Sequence, residues 1–344
     1  MKTEYKWINM TKLAAILGVV AIHMYGTLYL KAEYIYALTV SVSLFVIVTG
    51  FSTFLSYERN NEKIWKKVFV KVRNIFVPYL VATFIYYAFS TDIFRVQEYL
   101  HHVVHCTAFG LFYYVSVYIQ LTIISPIIYK YISEAKKKRL TWLRVLLGFA
   151  VVALVSYYTN QYTDVLEIYA GGGKLFGGTF LVIYYVGMCI GSFLPDIKIK
   201  NFINVIGMAI CSVGFIAFGW FLINYPLVLD RYLPFGNGFN PPSISYLIYS
   251  IIIFFFFFFF EKVLDLIPVE FLKKTYSTIS KLGKHTLFVF MYHMFICEHI
   301  LKKLNEFGIE IKILWIKKIV YFIAMFAISL LIEKIYMKIK EYIK

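Results

Sequence analysis

Residues 243–260 read SISYLIYSIIIFFFFFFF, eighteen positions without a charge. Pro241-Pro242 stands before the run and Glu261-Lys262 closes it. A helix of roughly 20 mostly apolar residues crosses the hydrocarbon of a bilayer, so this stretch has the length and character of a span. Working outward, comparable blocks recur at 8–29, 34–56, 74–90, 108–132, 142–158, 176–194, 202–224, 285–301 and 314–333. The 344-residue chain is 60% apolar, 20% aromatic and only 16% charged, with mean hydropathy +0.71. Soluble domains sit near half apolar and a quarter charged. The composition therefore excludes a disordered chain, a secreted disulfide scaffold and a soluble enzyme with one anchor. The expected fold is all-α, a polytopic integral membrane protein of about ten helices. One membrane domain over 1–344 is expected, with no separate soluble domain.

Basic residues alternate along the linkers. Arg59, Lys63, Lys66, Lys67, Lys71 and Arg73 fall in the second, and Lys130, Lys136, Lys137, Lys138, Arg139 and Arg144 in the fourth. Lys262, Lys273, Lys274, Lys281 and Lys284 fall in the eighth, and Lys334, Lys338, Lys340 and Lys344 follow the last span. The odd linkers hold one apiece at Lys31, Arg95, Lys174 and Arg231, apart from 302–313 with three. Positive residues collect on the cytoplasmic side. Both termini are thus expected in the cytoplasm, and the net charge of +16 reads as topology rather than nucleic-acid binding. The first span runs on into Lys31-Ala32-Glu33-Tyr34 without a small-residue cleavage site, so it reads as a retained span. The Lys, Ile, Phe and Tyr bias fits an AT-rich bacterial genome. Cys106, Cys189, Cys211 and Cys297 stand singly, with no CxxC pair, so no metal site is expected from them. No repeated block relates the two halves.

An ionisable residue inside a span costs about 3 kcal/mol or more and calls for a function. Lys12 and His23 both lie in the first block. Eleven residues advance a helix by about 16 Å and three turns plus roughly 20°, so the two share a face. Lys12 has a plain reading as a lysine snorkelling to the interface, and His23 one as a neutral imidazole bonded to a neighbouring helix. Among other candidates, His101-His102-Val103-Val104-His105 has a spacing that could put two imidazoles on one helix face, but it lacks a carboxylate partner beyond Asp92 or Glu98 and reads as a loop. Gly171-Gly172-Gly173-Lys174 lacks the Ser or Thr ending of a phosphate loop. The Phe254–Phe260 run reads as lipid-facing and packing surface.

Asn9-Met10-Thr11-Lys12, followed after ten residues by His23, resembles the opening signature of the acyltransferase-3 superfamily. Further pieces resemble that family in order: Phe45-Val46-Ile47-Val48-Thr49-Gly50-Phe51, then Lys71-Val72-Arg73-Asn74-Ile75-Phe76-Val77-Pro78-Tyr79, then GLFYYVSVYIQLTIISP at 110–126 and TLFVFMYH at 286–293. Within the superfamily the look is nearest to the intercellular polysaccharide adhesin membrane proteins. The resemblance implies a multi-pass protein of the bacterial plasma membrane that moves an acetyl or succinyl group from cytoplasmic acyl-CoA to a hydroxyl of a polysaccharide or lipid-linked glycan. It implies His23 as base or acyl relay, and Lys12, Lys71 and Arg73 against the donor, with Asn9, His293 and Tyr113 in support. The family's pair of arginines three apart is replaced by Lys71 and Asn74, with Arg73 off register. Acetyl-CoA or succinyl-CoA would be a co-substrate, with no resident cofactor and no metal; a glycan synthase complex is a further partner in biofilm exopolysaccharide work. Histidine suits the chemistry, because a base near neutrality must take the hydroxyl proton as the carbonyl is attacked. Export of the polysaccharide itself is the rival function.

Overall fold

The computed structural model describes residues 5–23, 34–161, 175–225, 228, 243–301, 303 and 314–342. Every regular element among them is helical. In chain order these are α1 (Lys6–His23), α2 (Tyr34–Leu38), α3 (Val40–Glu58), α4 (Ile64–Ser90), α5 (Val96–His105), α6 (Tyr113–Lys136), α7 (Thr141–Gln161), α8 (Phe180–Phe193), α9 (Asn201–Asn224), α10 (Ile244–Leu266), α11 (Glu270–Leu282), α12 (Thr286–Phe295) and α13 (Leu314–Tyr342). Seven helical stretches are long and apolar enough to cross a membrane, and Phe180–Asp196 and Thr286–Leu301 are shorter apolar helices. With α1 they fall on the ten expected segments. The protein is an all-helical, multi-pass membrane protein.

Several boundaries differ from the expected ones. Helix α4 begins at Ile64 rather than near 74, so Lys66, Lys67, Lys71 and Arg73 are helical residues instead of linker. Helix α13 runs on to Tyr342, carrying Lys334, Lys338 and Lys340. Hydropathy misses both extensions because lysines interrupt an apolar run without breaking a helix. The eighth linker contains the amphipathic helix α11. The His101–His105 stretch is helix α5, not a loop, with the His101 and His105 rings 4.3 Å apart. Among the described residues no three His, Cys, Asp or Glu side chains gather to hold a metal. The Gly171–Lys174 stretch lies outside the described residues, as does most of the segments 159–178, 225–243 and 302–313.

The tightest helix pair is α3 against α8. Glycines make it so: a Cβ on Gly50 would strike the Tyr184 carbonyl, and one on Gly187 the Ile47 carbonyl. Lipid tails provide no hydrophobic drive between helices, so close backbone packing through small residues supplies the association. Trp7 then pins α1 to α3 and α10, its ring 5.2 Å from Phe51 and 4.8 Å from Phe254. Phe254 and Phe258 of the phenylalanine run are buried in that contact, and none of the seven is fully exposed. The run is therefore more core than lipid face.

Helix α1 has two occupied sides. Ala14, Gly18 and Ala21 line an apolar cavity of about 520 Å³ shared with α2, α3 and α10. Lys12 and His23 stand two residues from Ala14 and Ala21, about 200° round the helix.

Candidate functional site

On the charged side of α1 a second cavity, about 270 Å³, is enclosed by α1, α3, α4, α6 and the start of α12. Its polar lining includes Lys12, Lys71 and Lys284, with Asn74, Thr49, Thr286 and the tyrosines Tyr114 and Tyr118. Lys71 is held rather than loose: its Nζ donates to Thr53 Oγ1 at 2.8 Å and lies 5.2 Å from the centre of the Tyr57 ring. A cation over an aromatic face is stabilised by the ring quadrupole. The floor is fixed from the other side. Gly283, at the corner between α11 and α12, packs on the Asn9 backbone so closely that a Cβ there would strike the Asn9 carbonyl.

Deeper along α1, the His23 ring stands 5.4 Å from that of His293, centre to centre, with the planes at 45°. His293 is fully buried. Its Nδ1 bonds the carbonyls of Val289 at 2.8 Å and Phe290 at 3.0 Å. Carbonyl oxygens only accept, so Nδ1 carries the hydrogen, and in the neutral ring Nε2 is left as a bare lone pair. Among the described residues Nε2 is buried and without a partner. Phe290 joins the two regions. Its side chain lines the lysine cavity and packs on Tyr114 at 5.4 Å, while its carbonyl holds His293. The cavity and the histidine pair are thus less than one turn of α12 apart.

The sequence candidates fare unequally. Lys12 and Lys71 come together in one cavity. Arg73 does not join them: it is exposed on α4 and absent from the cavity lining. Asn74, next along the helix, takes the place in the lining. Asn9 is buried and contributes backbone at the α11–α12 corner. Tyr113 packs, half-buried, on the core around α3 and α8, and its neighbour Tyr114 faces the cavity. His293, read from sequence as a supporting residue, is the direct neighbour of His23. Lys284 and Tyr118 were not foreseen. Nothing in the chain separates Lys284 from the other linker lysines, and aromatics are too common here for one to stand out.

The pair of imidazoles can take and pass a proton, and the lysine cavity beside it suits an anionic or strongly polarised group. No characterised protein and no solved structure matches the chain. A family model described as an acyltransferase domain matches residues 5–334. The chain belongs to this acyltransferase-3 family.

Proposed function

We propose that this acyltransferase transfers an acyl group, acetyl or succinyl, from acyl-CoA on the cytoplasmic side to a hydroxyl of a cell-envelope polysaccharide or lipid-linked glycan in a bacterial plasma membrane. The observation that carries the reading is the His23–His293 pair set against a cavity lined by Lys12, Lys71 and Lys284. Positive-inside topology puts the lysine end of α1 towards the cytoplasm, where the donor is. The lysines receive the donor's polar arm, and its thioester is carried about 16 Å along α1 to His23.

At the pair, His23 takes the proton of the acceptor hydroxyl as that oxygen attacks the thioester carbonyl. The C–S bond breaks, the C–O ester bond forms, and the proton passes from His23 to the leaving thiolate, so that free CoA thiol departs. His293 serves as a positioning residue. Its backbone bonds fix the hydrogen on Nδ1, and its Nε2 lone pair accepts the N–H of His23 through one bridging water. That contact turns the other His23 nitrogen, the basic one, towards the acceptor. A ring already tied to its own helix pays little entropy for this alignment.

The test uses purified protein in nanodiscs with acetyl-CoA or succinyl-CoA and a glycan acceptor, following release of CoA thiol. Donor- and acceptor-dependent release in the wild type that disappears in His23→Ala supports the reading. Equal release from both proteins sinks His23 as its centre. A His23→Ala protein that leaves exported polymer unacylated would further separate transfer from export.

A further inference from the structure

The Lys6 end of α1 and the amphipathic helix α11 enclose a third cavity, open to solvent and about 500 Å³ in volume. Its lining is Lys6, Lys273, Lys274 and Lys281, with Ser277 and Thr278 between them and Phe271 and Glu270 at one end. The lysines of α11 recur at positions 273, 274 and 281, so they stand on one side of the helix with Ser277 between their turns. Glu270 lies 3.9 Å from Lys273 and is the one carboxylate among the described residues of the lining. Glu261, at the end of α10, accepts a hydrogen bond from the Tyr276 hydroxyl of α11 at 3.4 Å. Lys274 and Lys281 make no ion pair among the described residues.

Four ammonium groups around one cleft with a single carboxylate among them repel one another unless an anion sits between them. Hydroxyls interleaved with ammonium groups complete a donor set with one obvious complement, a tetrahedral oxyanion presenting several acceptor oxygens. The cleft is near the lysine cavity along the chain: Lys281 lines the one and Lys284 the other, with Gly283 between them packed on Asn9. We infer that this cleft between Lys6 and α11 is a binding site for phosphate groups, outside the histidine site.

Two sources carry that chemistry. One is the phosphate-rich nucleotide end of a soluble donor. Lys6 precedes His23 by seventeen residues, about 25 Å of helix, so a donor bound here would have its phosphates and its thioester at opposite ends of α1. This identification rests on the acyl-CoA reading above. The other source is the headgroup of an anionic lipid. Leu272, Ile279 and Leu282 are exposed on the opposite side of α11, as in a helix lying in the membrane interface.

The experiment uses the full chain in nanodiscs and compares wild type with Lys274→Gln/Lys281→Gln and with a control, Lys338→Gln/Lys340→Gln, on α13. In neutral phosphatidylcholine discs, adenosine 3′,5′-bisphosphate is titrated at low and raised salt. Binding that weakens with salt and falls at least about tenfold in the α11 variant, but not in the control, shows a site for a soluble phosphate. If the bisphosphate does not bind, phosphatidylglycerol retained by the purified protein is measured by native mass spectrometry. Retention lost in the α11 variant alone shows a lipid-phosphate site. Neither ligand bound, or both bound equally by all three proteins, overturns the inference. Thiol release by His23→Ala is scored separately. Lysine-dependent phosphate binding alongside His23-independent activity would leave the cleft standing and remove the proposed catalytic role.

Discussion

The rings of His23 and His293 lie 5.4 Å apart, joining the last turn of α1 to α12, and among the described residues only one of the two is anchored. His293 is bonded to its own backbone through Nδ1, whereas His23 is half-buried at the end of its helix. The unequal anchoring separates their roles. Replacing His23 by Ala is expected to lower kcat by about 10²–10⁴-fold, the usual worth of a positioned acid or base. His293→Ala should lower kcat less, with the donor KM unchanged, and His293→Asn should recover part of the loss by restoring a polar partner. Loss of KM and kcat together in His293→Ala would mean that the ring only supports the fold.

Lys71 connects the cavity to α3 through Thr53 and Tyr57. Lys71→Gln keeps a donor for Thr53 but removes the charge. It should raise the donor KM by roughly tenfold or more, the worth of one charged hydrogen bond, with kcat little changed. Arg73→Gln, which leaves the cavity lining intact, should change neither. Steady-state thiol release over a range of donor concentration distinguishes the two.

The α3–α8 contact leaves no room for a side chain at Gly187. Gly187→Ala should destabilise the protein by about 1–3 kcal/mol, as overpacking does, and lower the midpoint of thermal unfolding in detergent. Gly110 has open space where its Cβ would be, so Gly110→Ala is the matched control and should leave that midpoint close to wild type.

Glu98 on α5 accepts a hydrogen bond from the Tyr87 hydroxyl at 2.7 Å and pairs with Arg95 at 3.1 Å. The tyrosine bond first, and the arginine charge after it, hold its carboxyl below the usual value of 4.5. A depressed carboxyl contributes stability that is present above 4.5 and lost as pH falls through the lower folded-state value. Amide exchange in α5 should therefore speed up below pH 4.5 relative to neighbouring α4. Glu98→Gln should abolish that pH dependence; an unchanged profile would show that the pair does not hold α5.

Much of this architecture can be read along the chain, because a span is a local property: enough apolar residues in a row. The 243–260 run and its counterparts locate the helices without knowledge of their neighbours. What hydropathy cannot show is where a helix continues through charge, as α4 does back to Ile64. It also cannot show which residues from distant helices meet. The spacing of Lys12 and His23 puts both on one face of α1, but nothing in that spacing selects His293 as the second ring or Lys284 as the third cation. Tyr114 over Tyr113 and Asn74 over Arg73 are decided by helix rotation, where one residue means 100°. The glycines at 50 and 187 are significant only because each meets a carbonyl of the other helix.

Helix α1 acts as a partition, with an oily compartment on the Ala14–Gly18–Ala21 side and a polar one on the Lys12–His23 side. A wall one helix thick cannot yield on one side without bulging on the other. Bulk added at Ala14 or Ala21, or a hydrocarbon chain entering the apolar chamber, would press His23 towards His293 although it touches neither ring. The spacing of the His23 and His293 rings is thereby open to adjustment from the apolar chamber.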